Sequence, residues 1–176
     1  MTGEDNTSDL IDSEKLLVKI NSGEQIDDEE LAGVAKIIEA AGKGDLCQNI
    51  SIDDMYSFLL VLGRARAYQY QYLFDRQLES KDPFTVSLVL EMLCLEWGKS
   101  SEYLERIINF ALGVSWDNED DVRLTAVKVL GEYLHYELHA RKSSQDKTNK
   151  EWVWRILDLL FLVFFDANVE IWVRQY

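Results

Sequence analysis

The chain has 176 residues, 47% of them hydrophobic, with one proline and nine glycines. That is enough apolar material for one buried core, and too little turn punctuation for an all-β fold or a low-complexity chain. Its 32 acidic residues against 18 basic ones give a formal net charge of −14, which disfavours phosphate backbones and anionic lipid as partners and favours basic ones.

The acids crowd toward the N-terminus. Residues 1–54 hold 14 acids and 4 bases, a net of −10, whereas residues 55–176 hold 18 and 14, a net of −4. Cys47 and Cys94 form neither a metal-ligand spacing nor a disulfide framework, as befits a reducing compartment. No basic start followed by an apolar run marks a secretory signal, and the longest apolar run, LLFLVFF at 159–165, is too short to cross a bilayer. The expected location is the cytoplasm.

Helical periodicity runs the length of the chain. Residues 1–8 are polar and expected to fray. The spacing predicts a first helix over about 9–21 with Leu10, Leu17 and Ile20 facing inward, closed by NSG. A second opens at DDEE (27–30), whose acids complement a helix N-terminus, and continues with Leu31, Val34, Ala35 and Ile38 before GKG. SIDD at 51–54 is a capping-box pattern, followed at helical spacing by Ile52, Met55, Tyr56, Leu59 and Leu62. Gly63 marks a bend, and RARAYQYQYLFDRQL is read as helical to about residue 79.

SKDP (80–83) then makes a turn, with Pro83 at the first helical position, where its missing N–H costs nothing. Val86, Val89, Leu90, Leu93 and Trp97 mark the next helix; Leu104, Ile107, Ile108, Ala111 and Leu112 mark another, stopped by Gly113. Val122, Ala126, Val129, Leu130, Tyr133 and Leu134 make a full amphipathic face. After a polar loop at 141–150, residues 152–165 read as a helix apolar nearly all round, as a central buried helix would be, and NVEIWVRQY begins one more. No stretch alternates as a strand would. The expected fold is all-α, about eight or nine helices in a single domain: a frayed end (1–8), an acidic N-terminal helical pair (9–50) and further helical pairs (51–176).

The acid-rich WDNEDDVRLTAVKVLG (116–131) invites a metal reading. Asp117, Glu119 and Asp121 fall at positions 1, 3 and 5 of an EF-hand loop, but Val122 stands where glycine must be and Lys128 where a bidentate carboxylate belongs. The stretch is better read as a helix start, its acids at the positive end of the dipole and Arg123 available to pair with one of them. DDVRLTAVKVLG resembles the first helix of a HEAT-type (armadillo-like) repeat. Thirty-seven residues earlier, DPFTVSLVLEMLC (82–94) has the same skeleton, with Val89 where Ala126 falls and Leu93 where Leu130 falls, though Val86 replaces the arginine. EIWVRQY repeats Val-Arg near residue 173. The resemblance, clearest over 82–176, implies a right-handed stack of antiparallel helix pairs, a HEAT-like α-α superhelix that serves binding.

Other features carry less. His135 and His139, four apart on one helix, could share a metal with Glu132, but a zincin helix needs Glu where Tyr136 stands. Arg64, Arg66, Tyr68, Tyr70 and Tyr72 interleave as in a single-strand clamp, yet Tyr68 and Tyr72 are expected to pack. Of the five tryptophans, Trp97, Trp152, Trp154 and Trp172 are read mainly as packing residues, and Trp116 as the exposed anchor. There is no phosphate loop or nucleophile elbow, and no cofactor is expected.

The leading expectation is a non-enzymatic protein-binding module for a basic partner, of the kind seen in bacterial immunity proteins that neutralise a nuclease toxin. Nucleic acid and membrane are not expected partners. The binding residues would be Trp116, Asp117, Glu119, Asp120 and Asp121, with Asp27, Asp28, Glu29 and Glu30 as a second patch. A scaffold subunit is one alternative; another is an enzyme, nucleic-acid-directed through 64–72 or metal-dependent through His135 and His139.

Overall fold

A computed structural model describes residues 11–43, 51–113, 119–141 and 151–165. Among these residues there are eight α-helices, short 3₁₀ and π segments, and no strand. The chain divides into two compact units, Met1–Asp75 and Arg76–Tyr176.

In the first unit, α1 (Ser13–Asn21), α2 (Asp28–Lys43) and α3 (Ile52–Arg64) pack together, with α3 lying against both of the others. Each start is fixed by an acid or serine. The Asp12 side chain accepts from the Lys15 N–H, and Ser51 and Asp54 complete the capping box expected from SIDD. Asp27 and Glu30 form a second box, Asp27 Oδ1 accepting from the Glu30 N–H at 2.7 Å and Glu30 Oε2 from the Asp27 N–H at 3.4 Å. Between α1 and α2 the chain turns through Gly23 at φ 80°, the left-handed region where glycine carries no Cβ penalty. Leu31, Val34, Ala35 and Ile38 are buried as their spacing predicts.

Some inward residues differ from expectation. Leu16 is the buried leucine of α1, with Leu17 and Ile20 only half-buried; Leu10 lies outside the described residues. Ile52 is 70% exposed, since it occupies the first turn of the capped helix, ahead of the contact face that Phe58, Leu59 and Leu62 build. The helix expected through 64–79 is broken. α3 ends at Arg64, Arg66 takes φ 52°, a 3₁₀ turn covers Tyr68–Tyr70, and α4 spans Gln71–Gln77. The left-handed residue breaks the i→i−4 ladder, and Ala67 N–H instead reaches Leu62 O at 3.1 Å.

In the second unit, α5 (Pro83–Leu90) starts as read from SKDP, with Asp82 as N-cap and Pro83 at the first turn. From Glu91 to Glu96 the helix widens to a π-helix, Trp97 N–H reaching back to Met92 O at 2.9 Å. The wider turn buries Met92, Leu93 and Cys94 in succession. Then come α6 (Leu104–Leu112), α7 (Glu119–Arg141) and α8 (Glu151–Phe165). α5 and α6 both pack on α7, and α8 packs on α6 and α7. α6 stops at Gly113, at φ 107°, as expected, although its Leu112 is exposed.

The α7 face is the one the spacing predicts: Val122, Ala126, Val129, Leu130 and Leu134 are buried, with Tyr133 half-buried. Each such valine or leucine contributes roughly 1.5–3 kcal/mol by leaving water. α8 departs in part from expectation: among its described side chains Ile156 is fully buried, but Trp154 and Phe161 are 61% and 62% exposed, and the side chains of 162–165 lie outside the described residues.

Candidate functional site

The acidic residues at the start of α2 are not equivalent. Asp27 and Glu30 are committed to the capping box, and Glu30 Oε1 also takes the Lys19 ammonium at 2.5 Å. That bond, the largest influence, raises the Lys19 pKa above its ordinary value; desolvation opposes it, and the charges of Glu30, Asp27 and Glu24 add to it. Asp28 and Glu29 are exposed and make no side-chain hydrogen bond or ion pair among the described residues. Two of the four acids are therefore structural and two are open to a partner.

Of the other predicted patch, Glu119 and Asp120 open α7 and Asp121 is half-buried, while Trp116 and Asp117 lie outside the described residues. The two patches belong to different units. His135 and His139 are exposed, with ring centroids 4.3 Å apart. Among the described residues, no three His, Cys, Asp or Glu side chains gather so as to hold a metal ion. No helix there is long and apolar enough to cross a membrane.

The 64–72 segment departs most from its reading. Tyr68 and Tyr72 are 47% and 50% exposed, and they stand in a 3₁₀ turn and in α4 rather than on one continuous helix. Tyr72 instead donates its hydroxyl to Glu39. The break also borders an open cleft of about 460 Å³ within the first unit, lined on one side by residues between Ile20 and Leu31, among them Gly23, Glu24, Gln25 and Asp28, and on the other by Arg64, Ala65, Arg66, Ala67 and Gln69.

Sequence reasoning missed this cleft because its two walls are some forty residues apart. The signal, had it been weighed, was the pair of small alanines interrupting an apolar helix with arginines in RARA. It also missed Trp154, which joins Leu157 and Phe161, three and seven positions on, as an exposed apolar stripe along α8.

No family model, curated protein or solved structure matches the chain.

Proposed function

We propose that the chain is a protein-binding module for a basic partner, most concretely an inhibitor that neutralises a cationic nuclease in the cytoplasm, as bacterial immunity proteins do. The observation that carries this reading is the negative charge that folding leaves uncompensated. Residues 1–54 have four bases for 14 acids, and the described ion pairs there, Lys15–Asp12 and Lys19–Glu30, answer only two of those acids. Asp28 and Glu29 remain open at the start of α2. Such a surface raises the encounter rate with a cation by roughly 10–10³-fold and loses that advantage in salt. Trp116 with Asp117, Glu119, Asp120 and Asp121 is a separate proposed patch on the other unit, the indole supplying the anchor that slows dissociation.

The proposed scaffold is a HEAT-like stack of antiparallel helix pairs. Supporting it, Glu91 and Lys128, equivalent positions 37 residues apart in the two resembling segments, form an ion pair at 2.8 Å. An exposed pair of this kind adds only about 0–1 kcal/mol; its interest is that it links the π-helical segment after α5 to α7 at the spacing the proposed repeat would have.

The test is affinity capture with the full chain, washed across a salt series, with bound proteins identified by mass. A single basic protein, held at low salt and released progressively as salt rises, is the expected result. With that protein in hand, Asp28→Lys combined with Glu29→Lys should slow association about tenfold or more and change dissociation little. A salt-resistant partner instead supports a scaffold subunit. One observation favours that second reading: the exposed Trp154, Leu157 and Phe161 stripe would meet an apolar surface.

A further inference from the structure

The cleft in the first unit carries chemistry opposite in sign to the acidic surface. Arg64 and Arg66 are the only arginines in residues 1–75, and both lie in its wall. In a chain with 32 acids for 18 bases, an arginine has carboxylates in abundance to pair with. Neither does so among the described residues. Arg64 Nη1 donates to the neutral Asn21 Oδ1 at 3.3 Å, and the Arg66 guanidinium has no hydrogen bond there.

Arg66 is also the one described non-glycine residue with positive φ, at 52°. It is held there by its own N–H on Gly63 O at 3.1 Å and by Tyr68 N–H on its carbonyl at 2.8 Å. Glycine would take that conformation without a Cβ penalty. An arginine kept against the local backbone preference is understood when its side chain is used.

Gly23, Gln25 and Gln69 also border the cleft, and Asp28 and Leu31 bring the start of α2 into its lining. Glu24 and Asp28 share the lining, and the Glu24 carboxylate already accepts from Ser22 Oγ at 2.9 Å. These acids would repel an extended polyanion. They leave room for a compact molecule with a single oxyanion and donor groups of its own.

We propose that this cleft binds a small molecule through one phosphate or carboxylate group, held between the guanidinium groups of Arg64 and Arg66. The planar guanidinium matches two oxygens of either group, and the volume lies in the range of small-molecule sites. The proposal goes beyond the protein-binding reading and shares no arginine with it.

The experiment follows backbone amide resonances of the full chain by nuclear magnetic resonance. Inorganic phosphate and acetate are titrated in separate arms, with ionic strength held constant by sodium chloride. The expected result is a saturable shift centred on Gly23, Gln25, Ala67 and Gln69 in at least one arm, the tighter arm identifying the source of the oxyanion. Arg64→Gln with Arg66→Gln should weaken that binding roughly tenfold or more, the loss of two charge-assisted hydrogen bonds. Arg66→Gly preserves the left-handed turn, so it should fold at least as well as the parent while binding more weakly. Shifts that stay linear or spread evenly over the chain would overturn the proposal, as would unchanged affinity in the double variant.

Discussion

Cys94 sits buried in the π-helical segment, its backbone carbonyl accepting from Ser100 Oγ at 3.1 Å. Burial pushes its thiol up to about 12, and a separate hydrogen bond between the thiol and the Ser100 side chain pulls the other way. The thiolate is the reactive form, so native Cys94 should resist iodoacetamide at pH 8 and react only on unfolding. Peptide mass mapping of a Cys47→Ser chain, with and without denaturant, checks this directly; rapid native labelling would contradict the burial. The same shift fixes a pH dependence. An unfolded thiol ionises near 9 and the folded one near 12, so in between the unfolded state binds fewer protons and stability falls as pH rises. The fall is at most about 1.4 kcal/mol per pH unit. Relative to a Cys94→Ala chain, the parent should therefore lose stability from about pH 9 upward and show no such difference below it.

At the scale of elements, helix starts are decided by side chains that can be read one at a time. Asp82 is the clearest case. One carboxylate oxygen, Oδ2, accepts from the Thr85 N–H at 2.8 Å and from its hydroxyl at 2.5 Å, and Pro83 follows in the first turn. Asp82→Ala should cost about 0.5–2 kcal/mol, measured as a lower midpoint in urea with an unchanged slope. These signals explain why the caps at Ser51, Asp82 and Gly113 and the buried stripe of α7 were legible in the sequence. Each depends on residues within a few positions of one another. The break at Arg66 and the π-helix at Glu91–Glu96 were not, because both change the helical period itself. A run of apolar residues such as MLCL fits an α-helical stripe as easily as the wider turn. The exposed stripe of α8 was illegible for another reason. Apolar composition says that a helix wants burial, but the exposed Trp154 and Phe161 depend on which neighbours are present to bury it. The cleft failed likewise, since its walls meet only through the packing of α1 and α2 on α3. The acidic half of the candidate site was legible as composition, but only the structure separates Asp28 and Glu29, which stand free, from Asp27 and Glu30, which hold α2 in place.

For the whole molecule, charge is the largest quantity that no single contact resolves. Residues 1–75 carry 15 acids and 6 bases, and residues 76–176 carry 17 and 12. Self-repulsion opposes compaction and is screened as the Debye length falls from about 10 Å at 0.1 M salt to about 3 Å at 1 M. The described ion pairs, Arg106–Glu79 and Arg155–Glu105 among them, are surface pairs whose screening costs little in return. Sodium chloride should therefore stabilise the chain. A gain of about 1 kcal/mol corresponds to a midpoint rise of roughly 2–4 °C at this length. The repulsion is unequal, a net of −9 in the first unit against −5 in the second, so if melting resolves two transitions the salt dependence should be steeper for the first unit. Scanning calorimetry across a sodium chloride series measures both, and Asp28→Asn with Glu29→Gln should flatten the slope, since those two acids take part in no described bond. A midpoint indifferent to salt would mean that the acids are already answered within the fold, and it would remove the uncompensated charge on which attraction of a basic partner depends.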